Sequence, residues 1–104
     1  MAVKTYVDIE IQNELLIARL YGELDHHSVQ PLRQQIDSMA LQNQPSEVIL
    51  DFSGVSFMDS SGIGLVMGRY KLAQELGATL RLCGLTSSTR RVMQVAGMDK
   101  LAKF

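Results

Sequence analysis

Apolar residues alternate with polar ones near the start of the chain, where Val3, Thr5, Val7, Ile9 and Ile11 stand between Lys4, Tyr6, Asp8, Glu10 and Gln12. A period of two gives one face to a core and the other to water, which predicts a half-exposed strand. Asn13 and Glu14 can turn the chain into a second strand over 15–21, closed by Gly22, so that the pair forms an antiparallel hairpin. The period then changes. Within 28–40, Val29, Leu32, Ile36 and Met39 keep helical spacing, with Ser28 as the N-cap and Pro31 in the first turn, where its missing N–H is not needed. A polar, proline-containing loop at 43–46 leads into Val48, Ile49, Leu50 and Phe52, the kind of β-branched run that fills a buried strand.

Further along, Ile63, Val66, Met67, Tyr70 and Ala73 form a helical stripe that stops at Gly77, and Asp59 is placed to cap that helix. Residues 79–83 predict another buried strand. Thr86, Ser87 and Ser88 open a helix carrying Val92, Met93 and Ala96, which Gly97 stops, and 101–104 is long enough for a short edge strand. The order is β-β-α-β-α-β-α with room for a last β. Right-handed strand–helix–strand crossovers then give an α/β fold: a mixed sheet of four to five strands, parallel at its centre, with helices packed against it.

The bulk composition narrows the functional classes. With 104 residues and 46% hydrophobic content, one domain over 1–104 can bury a real core without disulfides or metals. Ten basic and eleven acidic residues give a net charge of −1, no field for holding nucleic acid or an anionic membrane. Cys83, the single cysteine, is expected to be a buried apolar thiol. No basic region precedes a long apolar stretch and no window approaches a membrane span, so a cytoplasmic location is expected.

Candidate chemistry concentrates in Phe57-Met58-Asp59-Ser60-Ser61-Gly62-Ile63-Gly64, where a strand gives way to a helix. A hydrolase elbow needs glycine two residues on either side of the nucleophile, and neither Ser60 nor Ser61 has that. Gly62, Gly64 and Gly68 suggest a phosphate-binding turn, but the spacing is one residue too long for the dinucleotide fingerprint and no Lys-Ser/Thr pair completes a P-loop. Asp51 and Asp59 lack the second acidic pair of a phospho-acceptor site. His26 and His27, adjacent and without spaced carboxylate or thiol companions, make a poor metal site. Arg69, Lys71, Arg90 and Arg91 read as solvated helix faces. A modifiable hydroxyl remains, at a helix start where unpaired N–H groups and the helix dipole accommodate negative charge.

Two stretches carry a resemblance: Gly22-Glu23-Leu24-Asp25-His26-His27, and the serine segment with its continuation Gly68-Arg69-Tyr70-Lys71. In both, the chain resembles the bacterial anti-sigma factor antagonists, which have the sulfate-transporter-and-antagonist (STAS) fold, and within them the sporulation branch more than the general-stress branch. The resemblance implies a protein that is not an enzyme and needs no cofactor or metal. It implies phosphorylation at Ser60 by the anti-sigma factor, itself an ATP-dependent serine kinase, with a PP2C-type phosphatase resetting the switch. Asp59, Ser61 and Gly62 would support the turn, and Glu23, Asp25, His26, Ser60, Ile63 and Arg69 would contact the partner. The free protein would be a cytoplasmic monomer that touches neither nucleic acid nor membrane. The competing readings are a nucleotide-binding protein using Gly62, Gly64 and Gly68, and a STAS scaffold of a general-stress signalling complex.

Overall fold

The computed structural model describes residues 4–104, so Val3 of the predicted first strand lies outside the described residues. Strand β1 (Tyr6–Gln12) turns at Asn13, whose φ of 55° a short polar side chain tolerates, into β2 (Leu15–Leu24), with Gln12 paired to Leu15 and Tyr6 to Tyr21. Helix α1 (Val29–Asn43) crosses to β3 (Glu47–Met58), which lies parallel to β2. Helix α2 (Ser61–Leu76) crosses to β4 (Thr79–Cys83), parallel to β3. The sheet order is β1-β2-β3-β4. Helix α3 (Ser87–Val95) and a single 3₁₀ turn, Met98–Lys100, follow.

Because both crossovers run the same way along the sheet, their helices share one face. The alternation in each strand selects that face: Leu16, Ala18, Leu20 and Leu24 of β2, Val48, Leu50 and Phe52 of β3, and Leu80 and Leu82 of β4 are buried against Leu32, Ile36 and Ala40 of α1 and Leu65, Val66 and Ala73 of α2. The opposite face holds a stacked Tyr6–Tyr21 pair and the ion pairs Arg19–Glu10 and Arg81–Glu47.

Several expectations need correction. Strand β2 does not close at Gly22; it continues to Leu24 through a bulge in which Gly22 takes φ 95°, and a Cβ there would lie 2.4 Å from the Lys4 carbonyl oxygen. Strand β3 runs well past Phe52, because its second half pairs with that extension of β2. Cys83 is exposed, not buried: in β4 the even positions face the core and Thr79, Arg81 and Cys83 face away. Helix α2 is rotated from the predicted stripe, so that Leu65 and Arg69 point inward while Ile63, Met67 and Tyr70 are half-buried. In α3 only Met93 is buried, Val92 and Ala96 being exposed. The last predicted strand amounts to one bridge, in which Leu82 N–H donates to the Lys103 carbonyl and Lys103 N–H to that of Leu80. Gly77 and Thr86 end α2 and cap α3 as expected.

Candidate functional site

Strand β3 reaches α2 through two residues, Asp59 and Ser60. The Asp59 carbonyl accepts from Gly62 N–H at 3.1 Å and its Oδ1 from Ser61 N–H at 2.8 Å, so Asp59 does the capping although regular helix starts only at Ser61. The same Oδ1 accepts from the Ser61 hydroxyl. These two bonds from Ser61 hold the Asp59 carboxyl below the ordinary aspartate range. The neighbouring serines therefore differ. Ser61 is half-buried and its hydroxyl is tied to Asp59, whereas Ser60 is exposed and its side chain makes no hydrogen bond among the described residues. Gly62 keeps the turn compact, since a Cβ there would lie 2.2 Å from Met58 Sδ.

The loop after β2 lies alongside. Leu24 pairs with Met58 across the two parallel strands, and Asp59 N–H donates to the Leu24 carbonyl at 3.1 Å, so the two connections leave the sheet together. Ser28 stands at the N-cap position of α1 as expected, but its side chain makes no cap bond, and Asp25 performs that task. Its Oδ1 accepts from the N–H groups of His27 (3.0 Å) and Ser28 (2.8 Å), and its carbonyl accepts from Val29 N–H. In return Ser28 Oγ accepts from Asp25 N–H at 2.9 Å and donates to the Glu23 carbonyl, a reciprocal arrangement like a capping box. The Ser28 N–H is the main cause that holds the Asp25 carboxyl below its ordinary range. Glu23 and His26 are exposed beside it. Between the loops His26, Val29 and Arg33 face Ser61, Gly64 and Leu65 across a cleft of about 240 Å³.

A profile of the STAS domain matches residues 6–104. The chain belongs to the STAS domain family. This STAS domain is 35% identical over 95 residues to the anti-sigma F factor antagonist of Paenibacillus polymyxa, covering 91% of this chain and 81% of that protein. It is 36% identical over 88 residues to the antagonist of the same name from Lysinibacillus sphaericus, covering 85% and 75%. It superposes on the anti-sigma factor antagonist SpoIIAA in its unphosphorylated form with a TM-score of 0.73 at 36% identity, over 86% of this chain and 82% of that one. On the phosphorylated form of SpoIIAA the TM-score is 0.75 at 34% identity, over 93% and 88%. STAS-domain anti-sigma factor antagonists are regulatory binding proteins rather than enzymes.

The STAS domain brings Glu23, Asp25, His26, Asp59, Ser60, Ser61 and Gly62 to one end of the sheet, with Ile63 half-buried in the first turn of α2. Arg69 does not join them. It is 5% exposed and paired with Asp37 of α1, so it is not the solvated side chain that the sequence suggested and offers almost no surface to a partner. Gly62, Gly64 and Gly68 all lie within α2, and the two-residue connection before them is too short to wrap a phosphate. Sequence reasoning missed Arg33 in the cleft and Phe57, which is 54% exposed just before the turn. Arg33 was detectable from its place four residues after Val29, on the same side of α1.

Proposed function

We propose that this domain is an anti-sigma factor antagonist whose unphosphorylated form binds an anti-sigma factor with serine-kinase activity and releases the sigma factor, and whose phosphorylation at Ser60 ends that binding. The observation that carries the reading is the unequal pair of serines: Ser60 offers a free, exposed hydroxyl on a rigid turn, while Ser61 is held by Asp59. The exposed residues Glu23 and His26, with Asp25 shaping their loop and Ile63 beside the turn, supply the contact surface around it.

A phosphoserine brings about −1.5 to −2 charges at neutral pH. On Ser60 that charge would stand next to the Asp59 carboxylate, with Asp25 close enough to be felt at Asp59. In water the repulsion is screened; inside an interface both anions lose that screening. Like charges brought together in this way cost several kcal/mol, and about 4 kcal/mol weakens affinity roughly a thousandfold. No refolding is needed. In support, the domain matches the phosphorylated and unphosphorylated forms of its relative almost equally well. A PP2C-type phosphatase would restore the binding form, and the whole cycle would run in the cytoplasm; among the described residues no helix is long and apolar enough to cross a membrane.

The test is to incubate the domain with its candidate anti-sigma factor and ATP, then map added phosphate by peptide mass spectrometry. One phosphate on Ser60, absent in Ser60→Ala, supports the reading. No phosphate with a kinase active on another antagonist, or phosphate on Ser61 alone, overturns it.

A further inference from the structure

Arg69 is the only charged side chain in the core among the described residues. Its Nη2 donates to Asp37 Oδ2 at 3.2 Å and its Nε lies 2.7 Å from Oδ1, in a geometry too bent for a good hydrogen bond; Nη1 has no protein acceptor. This pair is a poor stabiliser. Burial pushes the Asp37 carboxyl up against the pull of Arg69 and Arg33, and burial also draws the Arg69 guanidinium down. A guanidinium taken out of water with a donor left unsatisfied, against a carboxylate that stays 32% exposed, gains little over apolar side chains of the same size.

Its position is more informative than its strength. Asp37 is the eighth residue beyond Val29, the first of α1, and Arg69 is the eighth beyond Ser61, the first of α2. The two helices run the same way over one face of the sheet, so the ion pair joins them at equal height, about 12 Å from each N-terminus at 1.5 Å per residue. Those N-termini carry the Asp25–Ser28 loop and the Asp59–Ser61 turn. The Arg69 guanidinium is planar and its donors are fixed, so sliding one helix against the other breaks the pair at once, whereas leucines at the same positions would tolerate a shift.

We propose that the Arg69–Asp37 pair is a positioning device: it locks α1 and α2 in axial register and thereby sets the spacing between the two loops that the anti-sigma factor reads. The partner arm of the test rests on the proposed function; the structural arm does not. Wild type, Arg69→Lys, Arg69→Met and the double variant Asp37→Leu with Arg69→Met are compared by thermal melting, by amide hydrogen exchange and by rate of phosphorylation. Single Arg69→Met leaves the half-buried Asp37 carboxylate unpaired and is expected to melt lower. The double variant is expected to melt at or above the wild-type temperature and yet to exchange the His27, Ser28 and Ser61 amides about tenfold faster, with phosphorylation slower by about the same factor. Arg69→Lys, which keeps the charge but not the fork, is expected to fall between wild type and the double variant at those amides.

Wild-type exchange at the three amides in a double variant that remains folded would overturn the proposal, as would wild-type phosphorylation of that variant. If the double variant does not fold, Arg69→Lys decides in the same way. If the kinase ignores even the wild-type protein, the functional reading fails, and the exchange data still decide the role of the pair.

Discussion

Two serine-bearing junctions stand at the carboxyl end of the parallel strands, one between β3 and α2 and the other between β4 and α3. In the second, the Thr86 hydroxyl caps the helix by accepting from Thr89 N–H at 3.2 Å, and it also bonds to the hydroxyls of Ser88 at 3.2 Å and Thr89 at 2.8 Å. That junction has a hydroxyl and not a carboxylate as its cap, follows an edge strand and carries Arg90 in the first turn of its helix. In the first, a carboxylate caps the helix and binds one serine while leaving the other free, and a second loop is fastened beside it through Asp59 N–H and the Leu24 carbonyl. Ser87 and Ser60 both sit at exposed helix starts. A hydroxyl at a helix N-terminus is thus common to both; an acidic cap in a central strand's connection, fastened to the loop after β2, belongs to one.

The largest effect that would separate the junctions is on partner affinity. Ser60→Asp is expected to weaken binding to the anti-sigma factor by up to roughly a thousandfold in a calorimetric titration, while Ser87→Asp changes it by no more than about threefold. Equal losses would erase the distinction. Next comes packing at the turn. Gly62→Val, forced against Met58, is expected to cost about 1–3 kcal/mol in urea unfolding, whereas Gly64→Ala, whose Cβ meets nothing within 4 Å, should stabilise by about 0.5–1 kcal/mol.

Removing the caps sharpens the contrast further. Asp59→Ala and Thr86→Ala should each lower stability, but only the first frees the Ser61 hydroxyl, so phosphate should begin to appear on Ser61 in that variant alone. Acid gives the smallest effect. The Asp25 and Asp59 carboxyls are held below their unfolded value, so what they contribute is complete above about pH 4 and lost as pH falls through their folded values. Exchange at the Ser28 and Ser61 amides, corrected for its intrinsic pH dependence, should therefore rise on acidification below pH ~4, while Thr89, capped by a hydroxyl that does not titrate, should show no such step.

Most of the fold was legible because alternation and helical spacing report burial directly, as in β1 and in the start and stop of α2 at Asp59 and Gly77. The errors came from reading apolar content instead of phase. In β4, Leu80 and Leu82 already assign Cys83 to the outer face. Likewise Leu65, Val66 and Ala73 place Arg69 inside, four residues from both Leu65 and Ala73. The Asp25–Ser28 cap was present as an acid and a hydroxyl at the spacing of a capping box, with the usual residues exchanged. The resemblance implied different roles for Ser60 and Ser61, but the residues themselves gave no physical reason for the inequality. It depends on which hydroxyl the Asp59 carboxylate takes, and that is settled by the geometry of a two-residue connection.

The measurement that bears most directly on the switch is the affinity of the anti-sigma factor for the same domain with and without phosphate on Ser60, with melting temperature recorded for both forms. Binding weakened by roughly a thousandfold with little change in melting temperature is the expected result, the phosphate acting at the interface and not on the fold. Equal affinities, or a loss of binding that merely follows a large drop in melting temperature, would contradict it.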